Sequence, residues 1–458
     1  MEETLRELRG KRVLFVGQTR TMSEEDIALF LDRIGAERAQ NMEEEGIGMV
    51  VLGRLVNPLE EAFADEREKD GIPVVSLEMV ERHYARTIEP ATLLGSLALF
   101  ANRERIVNLL HNPAIDDELF CDILALYDWQ DVGVFESDEN RDVAGTIVKR
   151  FYPEIDKNHN IQYSPVGPFL VAAQSDVAPL LEAMAGMPDY AITQRSQDPW
   201  MPRTLHEALL GNPHLPLRTL EKFLKSDDLR LEGLAAAHPA LPRAEQKRLV
   251  ERQECWIHEG LARNPNLDPA LHMRLLKSDN PQVRRTFLRA QRLDDETIER
   301  ILAEGSPEDR RALGANIHLD EEQVARLLEH GDETVAEALA ANPSLSPHHY
   351  EMLAGEGDTA LLRVLAGNPA VPSALLERLT RVRDKALYRR LAANPSMPSS
   401  RLRQFAKIKD REIQAALAAN PSTPIEILLG FQTDGELNQI LKRNEAFGDY
   451  IRQNLGMA

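Results

Sequence analysis

The sequence predicts a multidomain protein in which a small α/β domain precedes an all-α, right-handed solenoid of two-helix repeats. The chain has 458 residues, of which 43% are hydrophobic, and this is enough for more than one folded core. Short apolar runs bounded by glycine alternate with helical patterns over residues 10–86. From residue 212 onwards an Asn-Pro turn returns at a fixed interval, which is typical of a repeat protein.

The Asn-Pro turns set the length of the predicted repeat. Full pairs begin at Asn212, Asn264, Asn342, Asn368, Asn394 and Asn420, so the gaps are 52, 78, 26, 26 and 26 residues. Every gap is a multiple of 26, and the missing members fall at His238, Ala290 and Asn316. A constant period over nine turns predicts a solenoid whose units stack only on their neighbours.

Each repeat is predicted to contain two short helices. Four or five residues after the turn asparagine stands Pro, Asp or Ser, which starts a first helix. Apolar residues three and eleven after the asparagine, and seven and three before it, form the predicted core. The second helix is predicted to begin ten residues before the asparagine, at Asp228, Glu254, Asn280, Ser306, Asp332, Asp358, Asp384 and Asp410, seven of which are good N-cap residues.

Proline ends the second helix because it keeps the preceding residue out of the α region, and the asparagine amide is expected to bond the backbone of the bend. The motifs LARNPNLDPALHMRLL and LAANPSMPSSRLRQFA resemble the leucine-rich repeat variant family and, more loosely, HEAT-type solenoids. The resemblance covers about residues 208–430 and implies the solenoid fold. The period of 26 is longer than the repeat expected in that family.

Some members of that family carry an iron–sulfur cluster held by cysteines. Cys121 and Cys255 are the two cysteines of this chain, and two thiolates cannot ligate such a cluster. They are also far apart and in no metal-ligand or redox spacing, which suits a reducing cytoplasm. The sequence therefore predicts no cofactor and no metal, and a cytoplasmic location.

Residues 1–88 are predicted to form the α/β domain. Its elements follow the order β-α-β-β-α-β-α, with RVLFVG, GMVVLG and IPVVSL as apolar strands. This order resembles a BRCT domain, with Gly35 closing the first helix and DGIPVVSLEMVERHY at the end. The resemblance implies a small sheet covered by helices.

Members of the BRCT family often bind a phosphopeptide through a Ser/Thr-Gly pair after the first strand and a lysine in the second helix. In this chain the pair is Val16-Gly17, and a glutamate stands near the lysine position. Gln18, Thr19 and Arg20 are the nearest substitutes for a phosphate contact, and Thr19 and Arg20 are the candidate phosphate-binding residues. Phosphate binding is therefore a weak prediction, confined to these two residues.

Residues 89–200 are predicted to be an acidic helical linker region, and Asn112-Pro113 within it imitates the later turns. The solenoid is assigned to residues 201–458, with about nine repeats and a C-terminal cap. Residues 1–200 hold 19 Lys and Arg against 37 Asp and Glu, whereas the rest of the chain is nearly neutral. The acidic half offers a further partner for the basic clusters, either by self-association or by docking within the same chain.

Composition also limits the class of partner. The net charge of −20 argues against general binding to nucleic acid or to an anionic membrane. No apolar stretch approaches the roughly 20 residues of a membrane span, and the first residues lack the apolar run of a signal peptide. We therefore expect no membrane partner.

Catalytic patterns find little support in the sequence. The twelve histidines are scattered, and the adjacent pair His348-His349 begins a helix where both rings cannot face one ligand. Acid pairs stand at predicted helix starts, where capping explains them. Cys255 has no base that the sequence places beside it. The protein is predicted not to be an enzyme.

One column of the repeat is predicted to form a binding face. The residue five before the turn asparagine lies opposite the core positions of the second helix, so its side chains line the exposed face. Basic residues concentrate on and near this face, and ten Lys and Arg occur between positions 381 and 411 against two Asp. The candidate partner-binding residues are Arg285, Arg311, Arg363, Arg389, Arg390, Arg403 and Lys407.

Three interpretations of this column remain open. The first is an interaction or scaffold protein that binds a protein or peptide on the exposed helix face. The second is a nucleic-acid-binding or DNA-maintenance protein that uses the basic clusters for phosphates. The third interpretation assigns the arginines no partner, because each pairs with a cap aspartate of the next repeat.

Overall fold

The computed structural model describes residues 8–19, 22–87, 89–100, 102–130, 132–157, 159–192 and 201–455. The chain divides into two compact units, Met1–Ala240 and Leu241–Ala458. The first contains a small parallel sheet followed by helices, and the second contains helices that pack consecutively. No helix of the described residues is long and apolar enough to cross a membrane.

A four-stranded parallel sheet forms the start of the first unit. Its strands are β1 (Arg12–Val16), β2 (Glu37–Arg38), β3 (Ile47–Leu52) and β4 (Val74–Ser76), in the order β2-β1-β3-β4. The β-branched and aliphatic residues of β1 and β3 are buried because helices cover both faces of the sheet. The predicted element order of this region is confirmed.

Three helices cover the sheet: α1 (Glu24–Ile34), α2 (Pro58–Lys69) and α3 (Leu77–Thr87). The first two start in capping boxes, and α1 ends at Gly35 with φ of 68°, a left-handed conformation that glycine adopts without strain. One core lies between the sheet, α1 and α3, and a second core lies under α2.

Glu81 on α3 is a buried carboxyl group. The side chain is 2% exposed, and its Oε1 has no hydrogen-bond partner within the described ranges. Burial raises the pKa of Glu81 to about 7, against an opposing effect of Arg54. Glu81 is thus protonated in the folded protein at pH values where it is ionised in the unfolded chain.

We expect the stability of the first unit to fall as pH rises from about 4.5 to about 7, because the folded state holds the Glu81 proton over that interval. Glu81→Gln should raise the free energy of unfolding by roughly 2 kcal/mol at about pH 8 and leave it nearly unchanged near pH 4.5. Urea denaturation at both pH values measures this, with Glu68→Gln, at an exposed position of α2, as the control. An equal effect of Glu81→Gln at both pH values would contradict the assignment.

Further helices of the first unit pack beside the sheet domain and on one another. Examples are the contacts of α5 with α6, α7 with α8, and α8 with α10. The helices are α4 (Pro90–Phe100), α5 (Arg103–Leu110), α6 (Asp117–Ala125), α7 (Asp138–Phe151), α8 (Val166–Gln174), α9 (Ala178–Met184), α10 (Leu205–Gly211), α11 (Leu217–Phe223) and α12 (Leu229–Ala236), with 3-10 turns at Ile155–Lys157 and His159–Ile161.

A buried ionic contact joins α5 to α1. Arg105 Nε donates to Asp26 Oδ1 at 3.3 Å, and Tyr84 Oη donates to the same oxygen at 3.1 Å. The Arg105 and Asp26 side chains are only 7% and 1% exposed. Helix α5 is therefore anchored to the sheet domain by a charge pair that lies out of contact with water.

The second unit consists of paired helices. They are α13 (Arg243–Leu249), α14 (Cys255–Arg263), α15 (His272–Leu276), α16 (Pro281–Ala290), α17 (Asp295–Glu304), α18 (Pro307–Gly314), α19 (Glu321–His330), α20 (Glu333–Ala341), α21 (Pro347–Glu356), α22 (Thr359–Gly367), α23 (Ser373–Leu379), α24 (Lys385–Ala393), α25 (Ser399–Phe405), α26 (Arg411–Ala419), α27 (Ile425–Gly430), α28 (Gly435–Leu441) and α29 (Glu445–Leu455), with a 3-10 turn at Pro269–Leu271.

The second helices of successive pairs pack directly on one another, from α14 and α16 through to α26 and α28. Leu387, Leu391, Met397 and Phe405, which hold the four predicted core positions around one turn, are all buried. They belong to one cluster that runs from Ile298 to Leu417. This consecutive packing is compatible with an α-solenoid.

All eight predicted start positions of second helices are N-caps in the structure. In seven of them the side chain accepts a backbone N–H, and Glu254 is the member that does not. The reason is that Asp, Asn and Ser are short enough to reach the N2 or N3 amide, whereas glutamate is a poor cap. The predicted order of helices within the pairs is confirmed.

The turn asparagines form a buried chain of hydrogen bonds between successive pairs. Asn394 is 1% exposed, and its Oδ1 accepts the Ser396 N–H at 2.8 Å, which is the predicted bond to its own bend. Its Nδ2 donates to the carbonyl oxygens of Ala366 and Asn368, both at 2.9 Å, in the preceding pair. The side chain thus satisfies two carbonyls at the end of the preceding second helix. It also fixes the turn that follows its own helix.

The same arrangement recurs along the unit, and at one turn the bonding residue stands one position later than the period predicts. Asn342, Asn368 and Asn420 repeat both donor contacts one pair back. At the turn predicted for Ala290, Gln291 takes the role, because its longer side chain reaches the carbonyls of Ala262 and Asn264. We call these side chains the asparagine ladder.

Candidate functional site

A surface groove of about 1000 Å³ crosses the exposed faces of α22, α24 and α26. Its floor consists of small residues, among them Gly367, Ala386, Ala393 and Ala415, which leave the helix backbones accessible. Four arginines stand along it: Arg363, Arg389, Arg390 and Arg411. The groove therefore brings together three of the predicted binding residues.

Two of these arginines are held by acids of the next pair. Arg363 makes a two-pronged contact with Asp384 at 2.9 and 2.6 Å, and it lowers the pKa of that carboxyl to about 2. Arg411 contacts Asp434 at 2.5 and 2.6 Å and Glu436 at 2.8 Å. Asp384 and Asp434 are also N-caps, so each carboxylate serves a helix end and a guanidinium together.

The other two arginines are more available. Arg389 lies 3.6 Å from Glu412, at the outer limit of an ion pair, and both side chains are more than half exposed. Arg390 is exposed and forms no ion pair within the described part of the chain. Its Cδ would lie 3.7 Å from a Cβ placed on Gly367, so the side chain extends across the groove floor. Of the four groove arginines, Arg390 is thus the one that no carboxylate holds.

The remaining predicted binding residues lie outside the groove lining. Arg285 stands 3.7 Å from both Glu308 and Asp309, and Arg311 stands 3.4 Å from Glu337. These contacts run from one second helix to the next, which is the arrangement expected if such arginines serve stacking. Arg403 contacts Glu426 at 2.9 Å, and Lys407 is exposed in a turn.

One of the two predicted phosphate-binding residues lies within the described ranges. Thr19 is half-buried after β1, where its carbonyl accepts the Met22 N–H at 2.9 Å. Arg20 lies outside the described residues. The neighbouring Gln18 exchanges two backbone hydrogen bonds with Arg54, which joins the loops after β1 and β3.

A second cleft, of about 1070 Å³, lies in the first unit. Arg54, Arg141, Lys149 and Arg150 line it together with Glu104, Asp138, Glu139 and Asp142. The four basic and four acidic groups balance, and Arg141 and Arg150 already contact Asp138 and Asp117. The cleft shows no preference for an anionic or a cationic ligand.

Groups that could support catalysis or metal binding are sparse in the described ranges. No cluster of three or more His, Cys, Asp or Glu there is arranged to hold a metal ion. Burial raises the pKa of Cys121 to about 12, and burial and a contact from Cys255 Sγ to Glu259 raise the pKa of Cys255. Both thiols are therefore poor nucleophiles at neutral pH.

No family model, no curated protein and no solved structure matches the chain. Function is therefore inferred from the contacts and charges of the groove.

Proposed function

We propose that this chain is a non-enzymatic interaction protein that binds an acidic segment of a partner protein in the groove across α22, α24 and α26. The observation that carries the proposal is Arg390, an exposed arginine without a carboxylate partner, beside a floor of glycine and alanine. A guanidinium so placed can hold a partner carboxylate through two parallel hydrogen bonds. The small floor residues leave room for the partner backbone to approach.

The proposal includes a finer account of the fold. We infer a BRCT-like domain at residues 1–88, a helical linker region, and a right-handed solenoid of 26-residue repeats resembling the leucine-rich repeat variant family. The spacing of the asparagine ladder supports the period, since the bonds from Asn342, Asn368, Asn394 and Asn420 to the preceding turn each span 26 residues.

Charge favours a protein partner over nucleic acid. Several cations near the groove that could contact phosphates already contact acids, as Arg363, Lys385 and Arg411 do. The chain as a whole carries a net charge of −20, which opposes a long nucleic acid whose phosphates extend beyond the groove over the rest of the surface. A short acidic peptide interacts mainly with the local positive potential of the groove.

Selection of peptides from a random displayed library on the full chain tests the proposal. We expect enrichment of peptides with two or more Asp or Glu, and a loss of affinity of about tenfold or more in Arg390→Glu. Lys222→Glu, on an exposed lysine of α11, serves as the control and should leave binding unchanged. The proposal fails if the enriched peptides lack acidic residues or bind Arg390→Glu as tightly as the unmodified chain.

A further inference from the structure

Two adjacent turns of the second unit hold four exposed cations. Arg381 and Arg383 lie between α23 and α24, and Lys407 and Lys409 lie between α25 and α26. None of the four forms an ion pair within the part of the chain that the structure describes. We call this set the basic rim.

The corresponding turns elsewhere do not have this charge. At the same two positions of the predicted repeat stand Lys225 and Asp227, Glu251 and Gln253, Lys277 and Asp279, Ala303 and Gly305, Glu329 and Gly331, Gly355 and Gly357, and Thr433 and Gly435. In three of these turns the glycine is required, since a Cβ at Gly331, for example, would collide with the Leu327 carbonyl oxygen. Two cations in each of two successive turns are therefore a local feature and no requirement of the fold.

The basic rim has no ion-pair partners in the described part of the chain, whereas cations close to it in the sequence do. Lys385, two residues after Arg383, contacts Asp410 at 2.7 Å, and Arg411, two residues after Lys409, contacts Asp434. The available carboxylates at these helix starts are thus already occupied by other cations. No carboxylate of the described residues neutralises the four rim side chains, so they add to the local positive potential.

The basic rim lies at the N-terminal ends of α24 and α26, two of the three helices that line the groove. Helix α24 begins at Lys385 and contributes Arg389 and Arg390 to the groove, and Arg411, the first residue of α26, lines it directly. Neighbouring helices pack about 8–10 Å apart, and residues two apart in an extended turn are separated by roughly 7 Å. An extended acidic segment of several residues can therefore reach from Arg390 to both turns.

We propose that the basic rim and the groove form one surface that binds a continuous run of carboxylates in a partner protein. This inference rests on the proposed function, since it extends the same groove. The rim turns, RVR and KIK, hold no aromatic side chain on which a base could stack, so their composition favours carboxylates over single-stranded nucleic acid.

Fluorescence anisotropy with a labelled oligoglutamate of about 12 residues tests the inference on the full chain at about 50 mM salt. We expect the rim variant Arg383→Glu with Lys409→Glu to weaken binding at least about tenfold. The matched control is Lys225→Glu with Lys277→Glu, which changes the net charge equally at the same kind of turn but at isolated lysines beside Asp227 and Asp279. The control should change affinity by less than about twofold.

Equal binding of oligoglutamate by the rim variant and the unmodified chain would overturn the inference, as would the absence of binding at low salt. Labelled single-stranded and duplex oligonucleotides form the second arm. Tighter, rim-dependent binding of an oligonucleotide would assign the surface to nucleic acid and also overturn it. Failure of the groove itself is distinguishable, because it appears as selected peptides that are insensitive to Arg390→Glu.

Discussion

Replacing Asn394 with aspartate is expected to destabilise the second unit by about 4 kcal/mol at neutral pH. The carboxylate would face the carbonyl oxygens of Ala366 and Asn368 at a position that is 1% exposed, without the two N–H groups that now satisfy them. Asn394→Ala removes the same donors without adding a charge, so a loss of about 3 kcal/mol is expected. Urea denaturation followed by circular dichroism measures both.

The pH dependence separates the two variants. The loss in Asn394→Asp should shrink as pH falls and the carboxyl group is protonated, whereas the loss in Asn394→Ala should not change. Ser399→Ala, at an exposed position in the following helix, is the control and should cost less than about 0.5 kcal/mol. A loss below about 1 kcal/mol in both Asn394 variants would show that the asparagine ladder is dispensable.

Replacing Arg105 with methionine is expected to destabilise the first unit by about 3–5 kcal/mol, because the Asp26 carboxylate is then left buried without its cation. Ser23 and Tyr84 still donate to Asp26, which places the loss toward the lower end of that range. The free energy of unfolding in urea, followed by circular dichroism, is the measurement.

A double variant and a surface control make this prediction specific. Arg105→Met combined with Asp26→Asn should be less destabilised than the sum of the two single variants, since no uncompensated charge remains. Arg82→Met, which removes an exposed pair with Glu78, should cost less than about 0.5 kcal/mol. Additive losses in the double variant would indicate that Arg105 and Asp26 act independently.

Local signals in the sequence predicted the helices well. Cap residues such as Asp384 and turn residues such as Pro395 act over a few positions, so their effect can be inferred without knowing the fold. The bond from the Asn394 side chain to Asn368 could not be inferred in this way, because the two residues become neighbours only when the helix pairs stack. At one turn Gln291 replaces the asparagine one residue later in the repeat. Its longer side chain still reaches the Asn264 carbonyl oxygen, and the repeat period alone gives no information on this reach.

The site was predicted less completely. Helical geometry placed Arg363 and Arg389 on the exposed face, and the structure shows them along the groove. It could not distinguish Arg363, which is held by Asp384, from Arg390, which has no such contact, because the acid comes from the next pair. The groove floor was not predicted, because Gly367 and alanines such as Ala386 become one surface only when three helix pairs stack.

The predicted domain boundaries remain predictions. The described residues separate into compact units at 240 and 241, within the region assigned to the solenoid, and residues 193–200 around one predicted boundary lie outside the described ranges. The buried Arg105–Asp26 pair spans 79 residues and links the predicted linker region to the α/β domain. Such a contact has no local signature in the sequence.

A charge-swap experiment on Arg390 tests the central claim most directly. A selected acidic peptide is titrated by calorimetry into the unmodified chain and into Arg390→Glu, and the titrations are repeated with a peptide in which one acidic residue is replaced by lysine. We expect Arg390→Glu to bind the acidic peptide at least about tenfold more weakly and to regain most of that loss with the lysine peptide. Unchanged affinity of Arg390→Glu for the acidic peptide, or no recovery with any lysine peptide, would contradict the assignment of Arg390 to the partner carboxylate.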